Sequence, residues 1–211
     1  MKTSHPIRTT LFVPALLCLL LLAAGCSDKT PQLKKLSSDG VVVAFGDSLT
    51  YGIGAKDGET YPAQLEQLTG LQVINEGVSG ELSGQGRKRL PAVLDKYQPE
   101  LLILCHGGND MLRKKNKRAI ADNLLAMITE ARERDIQVVL IGVPEPALFL
   151  LNSAPFYEEV AVREKIPIDS VTLPEIESDN DLKSDTIHPN AAGYRKLAEA
   201  IANLLKKAGA I

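Results

Sequence analysis

Four short apolar runs, each closed by glycine- or asparagine-rich sequence and separated by stretches of helical spacing, leave this chain few folds to adopt. They span residues 41–45, 71–74, 101–105 and 136–143, with a weaker fifth run at 166–168. Runs this short and apolar throughout suit parallel strands covered on both faces better than one-sided strands. Parallel strands need crossovers, and the sequence between the runs supplies helices for them. Leu65 and Leu68 lie at helical spacing in 61–68, as do Leu90, Val93, Leu94 and Tyr97 in 88–97. Ile120, Leu124, Met127, Ile128 and Ala131 do the same in 117–134. A last helix is expected from Pro189, as its first residue, to about Lys207, with Leu197, Ile201, Leu204 and Leu205 on one stripe. The alternation predicts a single three-layer α/β/α domain of flavodoxin-like type, with a parallel sheet of about five strands. In such sheets function gathers outside the carboxyl ends of the strands.

The apolar character of residues 11–24 is of another kind. This almost unbroken stretch of Leu, Val, Ala and Phe follows Lys2 and Arg8 and is interrupted by Pro14. It is shorter than the ~20 residues a spanning helix needs and closes on small residues, so 1–25 reads as a secretory leader outside the fold. Its end, Leu22-Ala23-Ala24-Gly25-Cys26, resembles the bacterial lipobox, in which the cysteine becomes the lipidated first residue. The alternative is an exported protein with an incidental cysteine. With Ser27 next, the resemblance implies the cell envelope, lipid-anchored at the outer membrane and facing the periplasm. Residues 26–40 are polar and read as a tether of at most ~50 Å, leaving 41–211 as the folded domain. Of the three cysteines, Cys18 falls in the leader, Cys26 would carry lipid and Cys105 stands alone, so no intramolecular disulfide is expected.

Charge and aromatics exclude one partner class. With no Trp, aromatics at 4% and 24 basic against 26 acidic residues, the chain lacks the stacking platforms and excess positive charge of a nucleic-acid binder. No P-loop GK[ST] occurs, and Gly52, Gly54 and Gly58 have the wrong spacing for a dinucleotide fingerprint, so they read as loop-shaping residues.

Each strand run ends in chemistry. Gly46-Asp47-Ser48-Leu49-Thr50 follows the first, Asn75-Glu76-Gly77-Val78-Ser79-Gly80 the second and Gly107-Gly108-Asn109-Asp110 the third. Asp185-Thr186-Ile187-His188-Pro189-Asn190 precedes the last helix. Thr50 rules out the G-x-S-x-G elbow for Ser48. A serine hydroxyl needs a base, and beyond the leader only His106 and His188 are available. His188 has an acidic neighbour, Asp185, able to fix its tautomer from within one turn, and is the better base.

Block for block and in order, these motifs resemble the SGNH (GDSL) hydrolase superfamily, over about residues 41–205. The stretch from Arg89 to GGND is similar to its bacterial periplasmic acyl thioesterase, lysophospholipase and arylesterase branch. The resemblance implies a serine esterase that cleaves acyl esters or thioesters through an acyl-enzyme on Ser48, with His188 and Asp185 completing the catalytic set. It assigns the oxyanion hole to the Ser48 and Gly80 backbone N–H groups and the Asn109 side-chain amide, and implies no metal or organic cofactor. The partners implied are a small-molecule or lipid acyl ester and a membrane reached through Cys26; no protein partner is inferred. The superfamily also deacetylates carbohydrates, so an envelope O-acetylesterase is the alternative. A non-catalytic envelope lipoprotein is a third reading, against which the intact motifs argue.

Other residues have plainer readings. Asp47 and Asp110 read as structural hydrogen-bonders, His106 as a packed or supporting histidine with a catalytic role as the alternative, and Cys105 as a buried strand thiol. The basic run 113–118 reads as a solvated loop and helix start, with anionic lipid headgroups as the alternative. Phe149, Leu150, Leu151, Phe156 and Tyr157 fit an acyl pocket or helix core equally.

Overall fold

The structure, a computed structural model, describes residues 30–145 and 152–211. The leader, Cys26 and residues 149–151 lie outside the described residues. Five strands form one parallel sheet in the order β2-β1-β3-β4-β5: β1 Val41–Gly46, β2 Gln72–Gly77, β3 Leu101–Cys105, β4 Gln137–Ile141 and β5 Ile168–Asp169. Eight helices of the described residues surround it: α1 Ser48–Tyr51, α2 Tyr61–Thr69, α3 Ser83–Tyr97, α4 Gly108–Leu112, α5 Lys117–Arg132, α6 Pro155–Glu164, α7 Thr172–Ser178 and α8 Ala191–Lys207. Helix α2 packs on α8, which also carries α7, while α3 packs on α5 and α5 on α6. The predicted three-layer α/β/α architecture is present.

Strands β1 and β3 are central and apolar because helices cover both faces; Val42 to Phe45 and Leu101 to Cys105 are fully buried. β2 is an edge strand, so it carries Asn75 and Glu76 and runs past the expected end at residue 74. The chain leaves β1 toward β2 on one side and β3 on the other, which makes the β1/β3 carboxyl ends the switch point where this topology opens a crevice.

Two helix starts differ from expectation for local reasons. α3 begins at Ser83 rather than near residue 88, although Gly84 and Gly86 are poor helix formers. The Asp110 carboxylate accepts its first N–H, from Ser83, at 2.7 Å and stabilises that end. α8 begins at Ala191, not at Pro189. Asn190 is the cap, its side chain accepting the Gly193 N–H at 3.0 Å, while Pro189 bridges to Lys183 ahead of the helix.

The stretch read as a tether is docked over its second half. Leu33 and Leu36 donate backbone N–H groups to the Ala208 and Ala210 carbonyls at 2.8 and 2.9 Å. The Ser37 N–H reaches the Glu100 carboxylate at 2.9 Å, and Leu36 is buried. Two leucines among polar neighbours are too sparse for a periodic signal, yet they close the core where α8 ends. The strap rests at the amino ends of the strands, since Glu100 precedes β3 and Ala208 follows α8.

Candidate active site

β1 runs directly into the site. Asp47 caps the four-residue α1 by accepting the Leu49 N–H on Oδ1 at 3.2 Å, and this sharp turn sets Ser48 at the carboxyl edge. Asp47 is buried, and its Oδ2 has no hydrogen-bond partner among the described residues. Burial raises the Asp47 carboxyl above its ordinary range, against the nearby His106 and the Leu49 N–H.

From the other side, the loop between α7 and α8 brings in the base. Asp185 Oδ1 accepts the Ile187 and His188 N–H groups at 2.9 and 2.8 Å, winding the turn around its own carboxylate. Its Oδ2 stands 2.7 Å from His188 Nδ1, and His188 Nε2 stands 3.0 Å from Ser48 Oγ. With the Nδ1 proton held by a carboxylate, the Nε2 lone pair faces the serine hydroxyl, which donates to it. Desolvation works against charge on Asp185, but the Ile187 and His188 donors outweigh it and hold the carboxyl down to about 2. Gly54 backs this loop at positive φ (96°); a Cβ there would lie 2.0 Å from Ser184 Oγ and 2.5 Å from the Pro189 carbonyl, so a glycine is required at this position, whereas Gly58 has a negative-φ backbone with open space beside it.

Ser48 and His188 open into a cleft of about 270 Å³, also lined by Asn109, Leu112, Val143, Ile187, Glu177 and Lys183. Asn109 is the second residue of α4, presented by the turn that follows β3. Gly80 sits in the turn after β2, outside the cleft lining, at φ 78°. Glu177 has no counterpart in the sequence reading. It comes from the cleft-facing α7, too short to show periodicity, and burial pushes its carboxyl up to about 7, with Lys183 offsetting part of the rise.

The remaining candidates separate cleanly. Asp110 is a structural hydrogen-bonder, bound to Ser83 N and Oγ at 2.7 and 2.9 Å. Cys105 is buried and free, and burial pushes its thiol well up. Phe156 and Tyr157 are helix core rather than cleft wall. In the basic run, Arg113 to Arg118 are exposed, and Lys117 pairs with Glu145.

A parallel sheet carrying a serine, an imidazole and a carboxylate in hydrogen-bonded series at its carboxyl edge has the constitution of a serine hydrolase. The chain belongs to the GDSL-like Lipase/Acylhydrolase family, which matches residues 44–196. It is 28% identical over 200 residues to Esterase TesA of Pseudomonas aeruginosa, covering 88% of this chain and 97% of that protein. It is 27% identical over 172 residues to Thioesterase 1/protease 1/lysophospholipase L1 of Escherichia coli, covering 78% and 83%. The crystal structure of AlinE4, an SGNH-hydrolase family esterase, matches with a TM-score of 0.64 at 32% identity, covering 82% of this chain and 98% of that one. The protein is accordingly a carboxylic-ester hydrolase.

Proposed function

We propose that Ser48 is the nucleophile, His188 its base and Asp185 the group that orients the imidazole, in cleavage of acyl esters or thioesters. The observation that carries this is the unbroken series from Asp185 Oδ2 through His188 to Ser48 Oγ, at 2.7 and 3.0 Å, opening on a cleft. Ser48 Oγ attacks the carbonyl carbon while its proton passes to His188 Nε2. The oxyanion is met by the N–H groups of Ser48 and Gly80 and the Asn109 amide, as in the family. Collapse returns the proton to the departing alcohol or thiol and leaves an acyl-Ser48 ester. Water, deprotonated by His188, then releases the acid and regenerates the hydroxyl. The apolar wall of Leu112, Val143 and Ile187 suits the acyl chain.

The names of the relatives direct the test to a panel of aryl esters, acyl-CoAs and lysophospholipids. Turnover of at least one class, lost in Ser48→Ala, is the expected result; an intact rate in that variant removes the assignment.

Lipidation at Cys26 is part of the same reading, with the outer membrane as its location. The docked strap leaves about six residues, at most ~20 Å of chain, between Cys26 and the domain. Because that strap lies at the amino ends of the strands, a lipid there would direct the cleft away from the bilayer that holds Cys26. Metabolic labelling with a fatty-acid analogue tests this: label on the wild type and none on Cys26→Ala is expected, and equal label on both contradicts it.

A further inference from the structure

The proposed oxyanion donors come from three turns, after β1, β2 and β3, and the Gly80 carbonyl accepts from the exposed Arg113 guanidinium at 3.4 Å. A Cβ built on Gly80 would meet no atom of the described residues beyond its chain neighbours within 4 Å. The next residue supplies an anchor. Glu81 turns back into the protein, where Arg89 Nε donates to its Oε1 at 2.9 Å and Arg89 Nη2 to its Oε2 at 2.8 Å. Oε2 also stands 3.1 Å from Nε2 of His106, which is fully buried.

His106 is placed with equal care. Its Nδ1 accepts the Gly107 N–H at 3.0 Å, which puts the ring proton on Nε2, aimed at Glu81. Its carbonyl accepts from the Tyr157 hydroxyl at 2.8 Å. Helix α3 passes so close that a Cβ on Gly86 would lie 2.3 Å from Nε2, so this helix carries a glycine where the imidazole needs room. Arg89 lies 4.0 Å above the Phe45 ring and donates to the Glu76 carbonyl at 3.1 Å, tying the cluster to β1 and β2. Desolvation opposes charge on Glu81, but the His106 and Arg89 donors hold its carboxyl down to about 2. A second tie joins the same two segments: Ser83 binds Asp110, and Asn123 donates to Ser83 Oγ at 3.0 Å.

These contacts have one geometrical outcome. Glu81 adjoins Gly80, while His106 and Asp110 stand on either side of Asn109. We infer that Glu81 and His106 are positioning residues that fix the separation between the Gly80 amide and the Asn109 side chain, and so align the oxyanion hole. The inference rests on the proposed roles of Gly80 and Asn109. Donors must lie 2.7–3.1 Å from the oxyanion to act fully, and a misplacement of about 1 Å costs up to ~10²-fold in rate.

The test is a set of variants of the purified protein, assayed on a p-nitrophenyl ester. Glu81→Gln and His106→Leu should each lower kcat by roughly tenfold or more, with KM within about twofold, because the misaligned donors act mainly in the transition state. His106→Gln keeps a donor at the Nε2 position and should restore kcat to within about threefold of wild type. In an Asn109→Ala background, Glu81→Gln should cost no more than about twofold further, since the hole is already broken. The inference is overturned if Glu81→Gln and His106→Leu lower the melting temperature but leave kcat intact, or if Glu81→Gln costs as much without Asn109 as with it. Loss in Asn109→Ala with no loss in Glu81→Gln overturns this inference alone. No loss in Asn109→Ala overturns the oxyanion reading beneath it as well.

Discussion

Among the described residues two histidine–carboxylate pairs stand at the same edge of one sheet, and they do opposite things with the imidazole. His188 sits in a surface loop, with its carboxylate partner Asp185 half exposed and its Nε2 directed at a serine hydroxyl. His106 is sealed inside, with Nδ1 taken by the Gly107 N–H and Nε2 by Glu81, so neither nitrogen is left to accept a substrate proton. A histidine is a base here only where its second nitrogen faces the reaction; with both nitrogens engaged it serves as a bracket.

Deleting each imidazole in turn should separate the two roles by the widest margin. His188→Ala should lose about 10⁴-fold or more in kcat and Ser48→Ala a similar amount, with melting temperatures near wild type, because neither fills the core. Steady-state kinetics beside thermal melts checks this, and a larger loss at His106 than at His188 would invert the assignment. Next in size, Asn109→Ala should lose roughly 10²- to 10³-fold in kcat with less effect on KM. A pure KM effect would make Asn109 a substrate contact instead.

Two smaller effects sharpen the contrast between the catalytic edge and the rest. Leu36→Ala, in the docked strap at the far pole, should cost about 2 kcal/mol of stability while kcat stays unchanged. Denaturant melts and kinetics on one preparation measure both; a kcat loss would mean that the strap reaches the site. Glu177→Gln should show its effect only through pH. The Glu177 carboxyl is pushed up to about 7 from 4.5, so ionising it opposes folding. The penalty is absent below about pH 4.5 and grows as pH rises toward 7. The variant should therefore gain stability over wild type above pH 7 and match it near pH 4; equal curves at both would remove burial as the cause.

The sequence shows the larger elements because their causes are local. Val42 to Phe45 and Leu101 to Cys105 are apolar throughout since both faces are covered, and α5 and α8 are long enough to display their stripes. Ser48, Asn109, Asp185 and His188 are visible because each lies in a short motif at the end of an element. The rest depends on contacts between distant residues. The Glu81–His106 pair spans 25 residues with no pattern between, and α1, α4 and α7 are too short for periodicity. The strap hides two leucines among lysines and serines.

With Ser48 as the nucleophile, an acyl group resides on its oxygen between two half-reactions. Intact-mass and peptide analysis of the protein, quenched in acid during turnover of a p-nitrophenyl ester, measures this directly. One acyl adduct, mapped to the peptide containing Ser48, is expected to accumulate in the wild type and to be missing from Ser48→Ala. An adduct mapped to any other residue, or sustained turnover by Ser48→Ala, would contradict it.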